Sequence, residues 1–196
     1  MRGKLIILTG HTGIGKSSIC RRVCALASEK GYRISGILSP PLYDDSGLKV
    51  GFLAEKISDG EKWELARNDN NPSAKGPVWG QYTFSEKGFR KAVRALKQGL
   101  SGKFDLIVLD EVGPLELLQG KGFRPFMDLL VKENQTDLLI VVRPTLIKEI
   151  QEVLKRNDII LFHAYIKNRN KLPSLIVDEL RCTENVNTNP SFSACD

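Results

Sequence analysis

The sequence predicts an α/β domain in three layers, a mostly parallel core sheet flanked by helices, and three observations carry that prediction. Short apolar runs rich in β-branched residues alternate with longer stretches whose apolar residues recur at steps of three and four. Two of the short runs end in chemistry: one in the glycine-rich stretch Gly10 to Ser18, the other in the paired carboxylates Asp110 and Glu111. Between the second and third core runs the period changes to short segments of mixed polarity, which predicts a β-hairpin insertion after the second core strand.

Taken in order, Lys4 to Thr9 is the first core strand, apolar enough to be buried on both faces. Gly10-His11-Thr12-Gly13-Ile14-Gly15-Lys16-Ser17-Ser18 follows, and Ile19, Val23, Leu26 and Ala27 then mark the inner stripe of a helix that stops near Gly31. Arg33 to Leu38 is the second strand, ended by Ser39-Pro40-Pro41. Residues 42–67 form the β-rich insertion: Leu48 to Ile57 and Glu61 to Ala66 flank Ser58-Asp59-Gly60, and Asp-Gly between such runs is a hairpin signal. Asn68 to Pro77 has loop composition, and Trp79 to Phe84 is one more short strand. Ser85 caps a helix running to about Leu96, with Phe89, Ala92, Val93 and Leu96 inward.

The third core strand is Phe104 to Glu111. Phe123, Phe126, Met127, Leu130 and Val131 give a helix, and Asp137 to Val142 the fourth strand. Thr145 is expected to cap a helix burying Leu146, Ile147, Ile150, Val153 and Leu154. Asp158 to Phe162 supplies the fifth strand, and residues 170–181 the last helix. One domain therefore spans residues 1–181, and the polar, Asn/Ser/Thr-rich residues 182–196 are expected to be a flexible tail.

With 196 residues, 41% hydrophobic and 27% charged, the chain has the composition of a soluble globular domain. No apolar run approaches about 20 residues and the N-terminus leads straight into strand and loop, so neither a membrane span nor a secretory signal is expected, and the cytoplasm is the expected compartment. Cys20, Cys24, Cys182 and Cys195 lack zinc-type spacing; Cys20 and Cys24 lie one turn apart on a helix face, where packing is the expected role. The net charge of +6 is spread along the chain without a run of five basic residues, which favours a solvated surface and an anionic substrate over a nucleic-acid partner. Self-association has no signature in the sequence, and a monomer is the simpler expectation.

The stretch Gly10 to Ser17 satisfies G-x-x-x-x-G-K-[ST], the phosphate-binding loop, in its required place between strand and helix. Glycines bring successive N–H groups close to phosphate oxygens, and the helix adds its positive end. A lysine ammonium in the first helical turn opposes the macrodipole unless an anion meets it, so Lys16 is assigned to the β- and γ-phosphates and the Ser17 hydroxyl to Mg²⁺. Asp110, ending an apolar strand, is the carboxylate such a loop needs for Mg²⁺. Glu111 can orient or deprotonate the attacking water, and Val112 and Gly113 complete the expected nucleotide contacts on that side.

With Asp110-Glu111-Val112-Gly113-Pro114-Leu115-Glu116-Leu117 the chain resembles the nucleoside-triphosphatase family of small P-loop proteins, over residues 4 to about 181. Gly51-Phe52, Gly80-Gln81-Tyr82 and Asn168-Arg169-Asn170 support the resemblance. It implies a P-loop NTPase fold of the RecA-like class with an additional strand and a catalytic glutamate. It also implies slow, Mg²⁺-dependent hydrolysis of several nucleoside triphosphates, ATP and GTP among them, with Glu111 positioning water. Glu116 matches as well, either as a carboxylate supporting the site through a neighbour or as a helix-start charge. Two departures stand out: His11-Thr12 replaces a residue followed by proline, and Val142-Arg143-Pro144 replaces a Thr-Ile-Pro-like segment.

Arg143 ends the fourth strand and is either a cis-acting arginine on the γ-phosphate or a solvated strand end. Asn168, Arg169 and Asn170 are placed to touch base or ribose, or Asn170 caps the last helix. His163 and Tyr165 serve packing or base stacking. Two other functions use the same loop: a kinase passing phosphate to a small molecule beneath the insertion, and a nucleotide-dependent switch on RNA or DNA. A kinase of this architecture closes an arginine-bearing lid, and no arginine cluster follows the third strand, which favours hydrolysis.

Overall fold

The computed structural model describes residues 2–68, 76–101, 104–131 and 135–180. Its first half runs β1 (Leu5–Thr9), α1 (Lys16–Glu29), β2 (Ile34–Leu38), β3 (Pro41–Tyr43), β4 (Lys49–Lys56), β5 (Lys62–Arg67), β6 (Val78–Trp79), β7 (Tyr82–Phe84) and α2 (Glu86–Gly99). Its second half runs β8 (Leu106–Val112), α3 (Pro114–Leu117), α4 (Arg124–Leu130), β9 (Asp137–Val142), α5 (Ile147–Leu154), β10 (Ile159–His163) and α6 (Leu172–Asp178).

Five strands make the parallel core in the order β10-β1-β9-β8-β2. Because successive side chains point to opposite faces, Leu5, Ile7, Ile107, Leu109, Leu138 and Ile140 pack against α2, α4 and α5, while Ile6, Leu8, Leu106, Val108, Leu139 and Val141 pack against α1 and α6. Every residue of β1 is buried. That explains why the core strands read as unbroken apolar runs rather than alternating ones.

Beyond β2 the sheet turns antiparallel. β4 pairs with β2, β5 with β4, β7 with β5 and β6 with β7, and β3 lies on β4. The insertion thus extends the core sheet at its edge, giving ten strands among the described residues. Arg21 of α1 anchors it, with bonds of 2.8 and 2.9 Å to the two oxygens of the nearly buried Glu55 carboxylate on β4. Arg21 and its hydrogen bonds hold Glu55 below the ordinary carboxylate range.

Several boundaries differ from the sequence expectations for identifiable reasons. The single strand expected over Trp79 to Phe84 is two, β6 and β7, folded about Gly80, whose φ of 58° suits glycine. Thr145 does not cap a helix, because Pro144–Leu146 forms a 3₁₀ turn and α5 begins only at Ile147. Ser85 does cap α2, its hydroxyl accepting from the Gly88 amide at 3.0 Å, and that helix continues to Gly99. Asn170 does not cap α6, which starts after Lys171. Most of the expected loop at 68–77 and the expected tail at 182–196, with Cys182 and Cys195, lie outside the described residues.

Candidate functional site

The carboxyl ends of the core strands converge, as the crossover rule for open parallel sheets requires. β1 delivers the loop from Gly10 to Gly15, β2 delivers Ser39, β8 carries Asp110 and Glu111, Arg143 follows β9, and Ala164 follows β10. Gly10 has φ 149°, and a Cβ there would meet the Ala164 carbonyl oxygen at 2.8 Å, so the phosphate loop lies against the turn after β10. Gly15, with φ 97°, reverses the chain into α1. His11, Thr12, Gly13 and Ser18 are exposed, and Ile14 packs down onto the α1–α6 layer. Lys16 opens the helix, and its ammonium donates to the Gly10 and His11 carbonyls at 2.8 and 2.9 Å, across the mouth of the loop. Burial lowers its pKa, while the charges of Glu111 and Asp110 oppose that change.

Asp110 is buried, with 1% exposure. The Ser39 amide donates to its Oδ2 at 3.2 Å, and the Ser39 hydroxyl donates to its main-chain oxygen at 2.9 Å. Burial raises the carboxyl to about 6, with the Ser17 hydroxyl and the Ser39 amide pulling it down. Its Oδ1 is buried without a hydrogen-bond partner, an arrangement proteins rarely leave unanswered. That orphaned oxygen, on a carboxyl group that the Ser17 hydroxyl also reaches, fits Mg²⁺, which rests on one or two protein oxygens and takes the rest from phosphate and water.

The register of β8 on β9 slips between Leu109 and Val112, so the chain bulges at the two carboxylates. Glu111 takes φ 72° there, a left-handed conformation that a side chain adopts at a cost of about 1–2 kcal/mol. The bulge turns Glu111 out of the sheet, and the Arg143 guanidinium donates to its Oε1 at 3.2 Å. Lys16, Glu111, Asp110 and Arg143 thus share one charged cluster.

Not every expected residue arrives there. Val112 returns to the ladder opposite Val142 with its side chain fully buried in the apolar core, so the nucleotide contact expected of it falls to its main chain alone. The Gly113 amide donates to Glu116 Oε2 at 2.9 Å, and the Phe123 amide to Oε1 at 3.4 Å. Glu116 is therefore the helix-start carboxylate of its two alternatives, buried and raised to about 7 by that burial. Asn168 closes the turn after β10: its Oδ1 accepts from the Tyr165 amide at 2.8 Å and its Nδ2 donates to the His163 carbonyl at 2.9 Å. Arg169 is exposed on that turn. The His163 and Tyr165 rings stack on each other, 4.3 Å apart and 4° from parallel. Ser39 is the participant the sequence concealed, because a lone serine before two prolines reads as the end of a strand.

A cleft of about 90 Å³ opens beside Glu111 and Arg143, under the antiparallel extension. Phe52, Trp79, Tyr82, Phe84, Phe89 and Phe123 supply its aromatic walls.

A family model described as NTPase matches residues 5–177. The nucleoside-triphosphatase THEP1 of Thermotoga sp. (strain RQ2) is 30% identical over 177 residues, spanning 90% of this chain and 95% of that protein. That of Methanopyrus kandleri is 28% identical over 181 residues, 89% of this chain and 94% of that one. The fold is that of the solution structure of a human cancer-related nucleoside triphosphatase, with TM-score 0.72 at 24% identity over 90% of this chain and 96% of that one. The crystal structure of THEP1 from Aquifex aeolicus shares it too, with TM-score 0.70 at 19% identity over 90% and 98% of the two chains.

Proposed function

The chain belongs to the NTPase family, and on that premise we propose that it hydrolyses the γ-phosphate of ATP, GTP and other nucleoside triphosphates, slowly and with Mg²⁺. The observation that carries this reading is the bulge: two adjacent carboxylates, one buried with an unpartnered oxygen and one turned outward at φ 72°, beside the lysine of a phosphate loop.

The amides from Gly10 to Ser18 and the start of α1 bind the phosphates, and Lys16 exchanges its loop carbonyls for β- and γ-phosphate oxygens. Ser17 and Asp110 would hold Mg²⁺, which supplies neutralisation of charge on the β- and γ-oxygens. Glu111 orients the water for in-line attack and accepts its proton, while Arg143 fixes the Glu111 carboxylate and lies close enough to meet charge developing on the γ-phosphoryl group. Tyr165 and Arg169, exposed on the turn beside Gly10, are the side chains offered to the base. A base held by an exposed tyrosine and a guanidinium, with the Asn168 amide engaged in its own turn, is held with little discrimination.

Phosphate release from a panel of triphosphates, with and without Mg²⁺ and with Lys16→Ala as the blank, tests the reaction. Glu111→Gln keeps nucleotide binding and loses roughly 100-fold or more in turnover, the scale of a positioned general base. Undiminished turnover in that variant removes Glu111 from the mechanism.

A further inference from the structure

The outer face of α2 carries charge that the fold does not answer. The helix holds five cations against one carboxylate, Glu86, which Arg90 takes at 3.1 Å. Lys91 serves the extension, donating to Glu61 with its ammonium 4.5 Å over the Trp63 ring. Arg90, Arg94 and Lys97, at steps of four and three, form a row of their own. Like charges one turn apart repel, and neither Arg94 nor Lys97 has a hydrogen bond or ion pair to a described residue.

That row borders a groove of about 830 Å³, within the range of binding pockets at roughly 300–1,000 Å³. Phe89 and Val93, 5% and 8% exposed, form its floor, and Pro77 and Pro125 add apolar sides. Lys121 faces it from the turn between α3 and α4. This turn is pressed onto α2, since Gly122 has φ 60° and a Cβ on it would fall 2.1 Å from Glu116 Oε1 and 3.1 Å from the Phe89 ring. Four cations from two elements therefore meet one concavity, and Glu86 is the only carboxylate among the described residues that line it. None of the residues assigned to phosphate or metal is among them.

We propose that this groove docks an acidic, amphipathic segment of a partner protein, with apolar side chains on Phe89 and Val93 and carboxylates on Arg94, Lys97 and Lys121. Charge complementarity selects the partner, because opposite potentials steer the encounter and like charge rejects basic chains. The apolar floor supplies what a purely electrostatic contact lacks, a centre from which water is excluded. The same floor argues against a nucleic acid. Single strands are held by bases stacking on exposed rings, and the one ring that lines the groove among the described residues, Phe89, is nearly buried.

Titration calorimetry of the full-length chain with the peptide acetyl-Glu-Glu-Leu-Asp-Glu-Leu-Leu-Glu-Asp-Glu-amide, at low ionic strength, tests the site. The peptide binds with a Kd below about 1 mM, and serine in place of its leucines weakens it about fivefold or more. Arg94, Lys97, Lys121 and Lys155 are all exposed, so reversing their charge leaves the core intact. Arg94→Glu/Lys97→Glu weakens binding about tenfold or more and Lys121→Glu about threefold, while Lys155→Glu, the same change of charge at the end of α5, stays within about twofold. Lys16→Ala binds the peptide as the wild type does. Absence of binding overturns the proposal, and so does equal weakening by Lys155→Glu, which would make net charge the cause. Loss of binding in Lys16→Ala would move the peptide to the phosphate loop and overturn the groove. Serine and leucine peptides of equal affinity overturn the apolar floor as part of the site. An oligouridylate that binds more tightly than the peptide, and is released by Arg94→Glu/Lys97→Glu, overturns the assignment to a protein partner.

Discussion

Glu111 is where the backbone and the proposed chemistry make opposing demands. Its φ of 72° is unfavourable for any residue with a Cβ, and strain of this kind persists where surrounding structure imposes it. Glycine escapes that penalty, so Glu111→Gly is more stable than Glu111→Ala by about 1 kcal/mol, the reverse of the usual order in a strand. Urea unfolding of the two variants measures the difference, and alanine equal to or better than glycine would show that the residue is not held left-handed. Glu116 makes a second demand, since burial raises it from 4.5 to about 7 although the Gly113 and Phe123 amides donate to its oxygens. A carboxyl raised on folding adds stability that is fully present below its unfolded pKa and lost as the pH rises through the folded one. The wild type therefore loses stability between about pH 4.5 and about pH 7 on account of this group, and in Glu116→Gln that part of the loss disappears. Parallel pH slopes in the two proteins would remove Glu116 as their source.

At the scale of elements, one side chain of α1 reinforces the extension that β4 joins to β2. Arg21 grips Glu55 through both oxygens, and Lys62 adds a longer contact at 3.5 Å. Removing the guanidinium leaves a nearly buried carboxylate short of donors, so Arg21→Ala costs about 2 kcal/mol in denaturant unfolding. Arg21→Lys recovers less than half of that, because an ammonium cannot reproduce the fork. Full recovery by lysine would mean that charge alone holds the extension. The elements also differ in how plainly the sequence announces them. Ile6-Ile7-Leu8 and Leu106 to Leu109 read as strands because both faces are buried, and Gly10 to Ser17 reads as a phosphate loop because its spacing is fixed by the backbone it must form. Strands of two or three residues such as β6 and β3 carry no period to detect. Pro144 opened a 3₁₀ turn where Thr145 offered a cap, since its ring suits a first turn of either helix type.

Over the whole molecule, alternation of strand and helix signalled a layered parallel sheet, but nothing local announced that β9 would lie between β1 and β8 or that β4 would join β2. Those pairings join residues far apart in sequence, and the two made by β9 are what bring Asp110, Glu111 and Arg143 opposite Lys16. The bulge at Glu111 was equally silent, because a non-glycine residue at positive φ is imposed by its neighbours and not by its own preference. If this edge grips a triphosphate across several strands, nucleotide must stabilise the whole cooperative unit. A ligand that binds only the folded state at about 100 times its Kd adds roughly 2.7 kcal/mol. MgATP therefore raises the unfolding temperature of Glu111→Gln, which holds its ligand without consuming it, by several degrees at that excess. On the proposed reading of the exposed turn after β10, which assigns it little discrimination between bases, MgGTP does the same within a small margin. Lys16→Ala shows no shift at the same concentrations, having lost the cation that meets the phosphates. A shift that survives Lys16→Ala would place the nucleotide elsewhere on the molecule, and one confined to a single base would assign the turn around Tyr165 a selectivity that its exposed side chains do not account for.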